Sequence, residues 1–175
     1  MTNEGSNPRG LGNLIIGYDE DPVNYFAGGP GGGIPLSPGD RSGSHNLVIG
    51  VANRFTNAAF GGLVAGVLNT IKSGGATVSG GQLNIASGPE ASVSGGIKNT
   101  ASGIAASVSG GGANTAAGGE GASVSGGELN TASGSEAAVS GGFGNTAGGF
   151  ASVVIGGQNV TDNKDNSIAP QPPFP

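Results

Sequence analysis

Cysteine and tryptophan are absent from this chain of 175 residues, and histidine and methionine occur once each. Without cysteine there is no disulfide framework and no thiolate to act as nucleophile or metal ligand. Charge is scarce as well: Asp, Glu, Lys and Arg make up 10% of the residues, with 11 acidic against 6 basic and a formal net charge of −5. A nucleic-acid partner requires a basic stripe to neutralise phosphates. Between His45 and Thr161 the only basic residues are Arg54, Lys72 and Lys98, so that partner class is excluded. Aromatics reach only 5%, and much of the 35% hydrophobic content is alanine. A two-layer globule needs larger apolar side chains to fill its core, which this composition does not offer. No apolar run approaches the length of a membrane span. The opening stretch, Met-Thr-Asn-Glu-Gly-Ser-Asn-Pro, has neither a basic n-region nor an apolar h-region and predicts no secretory signal peptide.

What the chain does have is glycine, at 39 positions, and a short repeat. Taken alone, so much glycine would suggest a low-complexity, disordered chain. The repeat argues otherwise. Val-Ser-Gly-Gly begins at Val78, Val93, Val108, Val124 and Val139, and six residues after each valine stands an asparagine: Asn84, Asn99, Asn114, Asn130 and Asn145. The same frame extends to Leu47 with Asn53, Leu63 with Asn69, and Val153 with Asn159. Successive frames are 16, 15, 15, 15, 16, 15 and 14 residues apart. A near-constant period of this length is the mark of a solenoid, each repeat forming one coil stacked on the next.

Within a repeat, inward candidates fall two residues apart: Ala91, Val93 and Gly95, then Asn99, Ala101 and Gly103. That is strand periodicity, in two short strands joined by glycine-rich turns. The expected core runs through Leu47, Ile49, Phe55, Leu63, Ile71, Val78, Val93, Val108, Val124, Val139 and Val153. Larger residues cluster toward the ends of this series and leave a slender middle.

Four segments follow. Residues 1–10 are polar and read as a disordered or loosely attached N-terminus. Residues 11–44 contain Gly-Asn-Leu-Ile-Ile-Gly, an echo of His-Asn-Leu-Val-Ile-Gly at His45–Gly50, so Leu14 and Ile16 are expected to start the stack as a half-coil. The rest of that segment is rich in Gly and Pro, cannot continue a strand, and is expected to cap the first coil. Residues 45–161 are the repeats. Residues 162–175 turn polar and then proline-rich, a polyproline II tail.

The repeats Ala91–Gly103 (ASVSGGIKNTASG) and Ala122–Gly134 (ASVSGGELNTASG), with Asn-Leu-Val-Ile-Gly at Asn46–Gly50, resemble the head repeats of YadA-type trimeric autotransporter adhesins. The likeness spans roughly residues 11–161. It implies a left-handed parallel β-roll, three chains packed side by side, a place outside the cell or on its surface, and adhesion to surfaces, matrix proteins or glycans.

Each regular column has a plain and a sharper reading. The asparagine column would be a ladder of side-chain amides bonding coil to coil about 4.8 Å apart, or else a ligand or metal ladder. Asparagine is a poor ligand without carboxylates beside it, and this column has none, which favours the structural ladder. Thr100, Ser102, Thr115, Thr131, Ser133 and Thr146 would form a flat hydroxyl array suited to ordering water, as in ice binding. Breaks at Arg54, Ile85 and Val160 and the lack of repeated Thr-x-Thr pairs weigh against that use.

Twelve residues after each valine the frame places Gly75, Glu90, Ala105, Glu120 and Glu136, with Glu128 on the other turn beside Leu129. A calcium site needs several oxygens converging on one point, so solvated charges that keep the rod soluble are the better reading. Asp19, Glu20 and Asp21 form the densest acidic group and are the weak metal candidates, against a plain solvated loop. His45, the lone histidine, has no nucleophile motif beside it and reads as a strand-edge residue rather than a base.

Apolar residues at turn positions, Ile97, Ile104, Leu129, Phe143 and Phe150, either bury in a subunit interface or mark a binding patch, with the interface preferred. A valine and two alanines per coil are too little burial to order about fifteen residues, so association of chains is expected to add the rest. No acid, base, nucleophile and metal set can be assembled, so no enzyme and no cofactor is expected. The expected protein is an all-β parallel roll of eight or nine coils, self-associating as a homotrimer or end to end, structural or adhesive in function. The alternatives are a fibre or sheath subunit, an ice-binding or ligand-binding solenoid, and a phage-like fibre tip.

Overall fold

Two parallel sheets, back to back, make up the described part of the protein in the computed structural model, which describes residues 12–17 and 40–170. The ten-stranded sheet runs β1 (Leu14–Ile16), β2 (Leu47–Val51), β4 (Leu63–Val67), β6 (Thr77–Val78), β8 (Ser92–Val93), β10 (Ser107–Val108), β12 (Ser123–Val124), β14 (Ala138–Val139), β16 (Val153–Val154) and β18 (Ile168–Ala169). The eight-stranded sheet runs β3 (Arg54–Phe55), β5 (Thr70–Ile71), β7 (Ile85–Ala86), β9 (Thr100–Ala101), β11 (Thr115–Ala116), β13 (Thr131–Ala132), β15 (Thr146–Ala147) and β17 (Thr161–Asp162). Strands alternate between the sheets along the chain, giving a parallel β-solenoid of about eight turns with repeats near fifteen residues. Among the described residues there is no helix.

Apart from β1, β2 and β4, the strands are two residues long because the turns leave no more room. Each coil spends its glycines reversing direction twice, and side chains alternate between core and outer surface in what remains. In the middle coils, one valine and two alanines point inward, as with Val93, Ala91 and Ala101, all fully buried. Backbone hydrogen bonds then run from coil to coil, such as Thr100 N–H to Asn114 O at 2.8 Å and Ser102 N–H to Ala116 O at 2.8 Å. The backbone polar groups that a thin core cannot afford to leave unpaired are thereby satisfied.

Four core assignments need correction. Leu47, Leu63 and Val153 are half-buried and stand on the outer face, in register with Thr77 and Ala138, while Val48, Val64 and Val154 are fully buried. Ile49, next to Val48, is likewise half-buried and pairs with Ala65. The first two coils are one residue shorter between valine and asparagine, Val48 to Asn53 and Val64 to Asn69, than Val78 to Asn84. Matching on a spacing of six shifted the frame by one residue, and in a strand one residue exchanges core for surface. Phe55, Ile71, Val78, Val93, Val108, Val124 and Val139 are buried.

The ends differ from expectation as well. Leu14 pairs with Leu47 and Ile16 with Ile49, so β1 starts the stack, but both side chains face outward and are about half exposed. The solenoid continues beyond Thr161: β17 pairs with β15, and β18 pairs with β16. The segment from 162 to 169 is therefore a further coil rather than a tail. Its columns were hidden because aspartate replaces alanine at Asp162. The capping role expected of the insertion, and its residues Asp19, Glu20 and Asp21, fall outside the described residues, as does the tail beyond 170. Asp40 O does receive the Phe55 N–H at 3.0 Å, and Gly43 N–H donates to Phe55 O at 3.0 Å, along the outer side of β3.

Candidate functional site

Asparagine is the residue on which each coil turns. Asn99 Nδ2 donates to Gly95 O at 2.9 Å within its own coil and to Gly111 O at 3.0 Å in the next. Its Oδ1 accepts the backbone N–H of Asn114 at 2.9 Å. The same pattern links Asn53, Asn69, Asn84, Asn99, Asn114, Asn130 and Asn145, every one fully buried. Both amide hydrogens and the carbonyl are committed to the fold in each middle rung, so this column is scaffold. It stops at Val160, whose N–H donates to Asn145 Oδ1 at 2.9 Å. Asn159 is not the eighth rung: it is exposed, on the turn, with φ of 55°.

A second, shorter amide ladder was missed in the sequence. Asn13 Oδ1 accepts the Asn46 N–H at 2.7 Å, and Asn46 Oδ1 accepts the Gly62 N–H at 3.0 Å, at the opposite turn of the first coils. The echo between Gly-Asn-Leu-Ile-Ile-Gly and His-Asn-Leu-Val-Ile-Gly was its signal.

The glycine following Val-Ser-Gly is required by geometry. Gly96 has φ of 86°, and a Cβ there would overlap the Gly111 carbonyl. The first glycine of the pair, Gly95, would meet nothing within 4 Å. One position enforces the close approach of coils; the other only carries the carbonyl that asparagine bonds.

Outside this scaffold, the described surface divides into two sheet faces and two turn edges. One edge carries Gln82, Ile97, Gly112, Glu128 and Phe143 in one bridged column, with Leu83, Lys98, Ala113 and Leu129 beside it. The latter four adopt φ between 51° and 59°, a left-handed conformation that costs a side-chain-bearing residue about 1–2 kcal/mol. The other edge carries Ile104 bridged to Glu120, and a left-handed column that includes Glu90, Ala105, Gly121 and Glu136. Glu120 therefore sits one column away from Glu90 and Glu136, because the coil from Ser107 to Ala122 holds one extra residue. Among the described residues no group of three or more His, Cys, Asp or Glu stands where it could hold a metal ion.

The five apolar turn residues are all exposed, between 41% and 53%. They do not form one patch: Ile97, Leu129 and Phe143 lie on one edge, Ile104 and Phe150 on the other. Phe60 joins the second edge at 62% exposure, over Gly74 and beside Pro89 and Glu90 in an open notch. His45 is exposed, with φ of 56°.

The hydroxyl column is longer than its sequence suggested. Thr161 pairs with Thr146, so threonine runs without interruption through Thr100, Thr115, Thr131, Thr146 and Thr161; Val160 belongs to the asparagine column instead. Ile85 and Arg54 do interrupt it nearer the N-terminus.

Asp162 was not anticipated. It occupies the inward column of Ala147 and is 6% exposed. Ser167 Oγ lies 2.6 Å from each carboxylate oxygen, and the Lys164 N–H donates to Oδ1 at 3.1 Å. A buried carboxylate is tolerated only with such partners, and here it closes the last turn.

No protein-family model matches the chain, and no curated protein matches it.

Proposed function

We propose that this protein is a non-enzymatic structural and adhesive head: a rigid rod of self-associated solenoids, outside the cell or on its surface, that attaches through its turn edges. Left-handed winding, a homotrimeric state and matrix-protein or glycan targets belong to this reading through the resemblance to trimeric adhesin heads. The observation that carries it is the division of labour around each coil. Inside, the asparagine and glycine columns are committed to the fold; on the turn edges, side chains such as Ile97, Leu129, Phe143 and Phe150 vary from rung to rung and stand exposed. Recognition placed on turns over a rigid scaffold is the common arrangement.

The first test is light scattering on a sizing column, followed by binding of the same fraction to immobilised matrix proteins and glycans. A discrete particle of three chain masses that binds one of these surfaces supports the reading. A folded monomer that binds none of them ends it.

The continuous threonine run favours a second reading, binding to an ordered surface such as ice. Its neighbouring outward column is uneven, with Ser102, Ala117, Ser133 and Gly148 in turn. Thermal hysteresis measured on the purified chain decides it.

A further inference from the structure

The last turn of the asparagine edge departs from the wording of the others. In the regular coils the ladder asparagine is followed two residues later by alanine, as in Asn84-Ile85-Ala86, Asn99-Thr100-Ala101 and Asn130-Thr131-Ala132. In the last coil Val160 takes the ladder slot, and the asparagine stands one residue earlier, on the turn, at Asn159. The run becomes Asn159-Val160-Thr161. Nowhere else in the chain do asparagine, a residue other than proline, and a hydroxyl residue follow in that order, which is the acceptor motif for N-linked sugars.

The fold hides the ladder asparagines and presents this one. Asn53 through Asn145 are fully buried, and their amides are bonded within the coil and to the next. Asn159 is exposed, and among the described residues its side-chain amide takes no hydrogen bond. Its φ of 55° does not by itself call for asparagine, since Leu83, Lys98, Ala113 and Leu129 hold the same turn position at 51° to 59°. One coil earlier the column carries Gly144 in place of a side chain, and a Cβ there would overlap Asn159 Oδ1. The neighbouring bridged column holds Phe143 and Gln158, both uncharged. Thr161 is exposed as well, on β17, the last strand of the eight-stranded sheet. The amide is thus open at the turn edge, and the hydroxyl at the end of the sheet where no further strand follows.

We propose that Asn159 is a site of N-linked glycosylation, with a sugar activated at C1 as the diphosphate ester of a nucleotide or a lipid as donor. In the transfer, Asn159 Nδ2 bonds to C1 as the bond from C1 to the diphosphate oxygen breaks. The diphosphate leaves with the electron pair, and one amide hydrogen leaves as a proton to a base on the transferase. Thr161 supplies the hydroxyl that the motif requires. The scaffold loses nothing, because Val160 N–H, not Asn159, continues the ladder from Asn145 Oδ1. The sugar would stand at the C-terminal end of the edge that carries Ile97, Leu129 and Phe143, and the edge of Phe60, Ile104 and Phe150 would stay bare. The assignment does not rest on the adhesive reading; it needs only the exposed turn and its motif.

The test uses the folded full chain, with a soluble transferase specific for Asn-x-Thr and UDP-glucose as the probe, read by intact and peptide mass. One hexose per chain is expected, on the peptide that contains Asn159. Asn159→Gln and Thr161→Ala should lose the added mass, and Thr161→Ser should keep it. Neither Asn159 nor Thr161 takes a side-chain hydrogen bond among the described residues, so both losing variants are expected to melt with wild type. No hexose on the folded wild type, or one that arrives only after unfolding in urea, shows that the fold withholds the amide and overturns the proposal. A hexose that survives Asn159→Gln places the acceptor elsewhere and overturns it equally. The chain recovered from its own cells gives the final result: a sugar on the Asn159 peptide upholds the assignment, and a bare polypeptide mass ends it.

Discussion

The first coils and the middle coils fill the same cross-section in different ways. At the N-terminal end, Phe55 and Ile71 occupy the inward column that alanine holds from Ala86 to Ala147, and Val48 and Val64 begin the valine column. In the middle, the apolar core of a coil is one valine and two alanines. A middle coil has a neighbour on each side at about 4.8 Å, so its small side chains are covered above and below and its amides are bonded in both directions. An end coil has a neighbour on one side only and must supply bulk of its own. The middle is thus held chiefly by hydrogen-bonded registration, and the N-terminal end by apolar volume. The C-terminal end keeps the backbone registration and adds a hydrogen-bonded carboxylate, Asp162, in the inward column.

That contrast breaks most visibly at the ladder. Asn114→Ala strips the Asn130 N–H and Gly110 O of their side-chain partner, while Gly127 O keeps the Gly112 N–H. Unpaired buried groups cost about 1–3 kcal/mol each, so a loss of at least about 2 kcal/mol is expected in chemical denaturation. Equal stability of this variant and wild type would show that the middle is not held by its amides. Gly96→Ala should be comparably damaging and Gly95→Ala close to neutral, a pair that separates steric need from composition in one melting experiment.

The apolar columns give the next largest difference. Truncating Phe55 to Ala removes a large buried ring at about 3–5 kcal/mol. Val108→Ala removes two methyl-sized groups, at about 2 kcal/mol or less by the same bookkeeping. Equal costs would contradict the distinction between bulky end and slender middle.

Ser152 sharpens the picture in the opposite sense. It stands in the alanine column of Ala137, fully buried, and its Oγ has no hydrogen-bond partner among the described residues. Ser152→Ala is expected to raise stability by about 1 kcal/mol, since it removes an unpaired buried hydroxyl; a drop in melting temperature would point to a partner beyond the described residues. The smallest effect is expected on the turn edge. Ala105→Gly, at a φ of 51°, relieves the left-handed penalty but frees the unfolded chain, leaving a net change below about 1 kcal/mol.

The reasons for what was legible follow from these residues. Val-Ser-Gly-Gly followed by asparagine recurs because identical coils meet identical neighbours, so one local solution serves many times. The columns were plain wherever that wording held, from Val78 to Asn145. They failed where a coil gained or lost a residue, as at Leu47, Leu63 and Glu120, and where the final coil changed its vocabulary at Val160 and Asp162. Candidate surface residues such as Ile97 and Phe150 were recognisable as turn residues, and the spacing from the valine already separated the two turns, as it did for Glu128 and Glu136.

By itself, then, the sequence determined the period, the two-strand coil and the buried amide column, because these depend on residue types repeated at fixed intervals. The tertiary structure alone decided the register at the irregular coils, the extent of the solenoid at its C-terminal end, and which exposed side chains share a surface. Those depend on backbone hydrogen bonds to the neighbouring coil, and a one-residue change in coil length turns a core side chain outward however similar the letters remain.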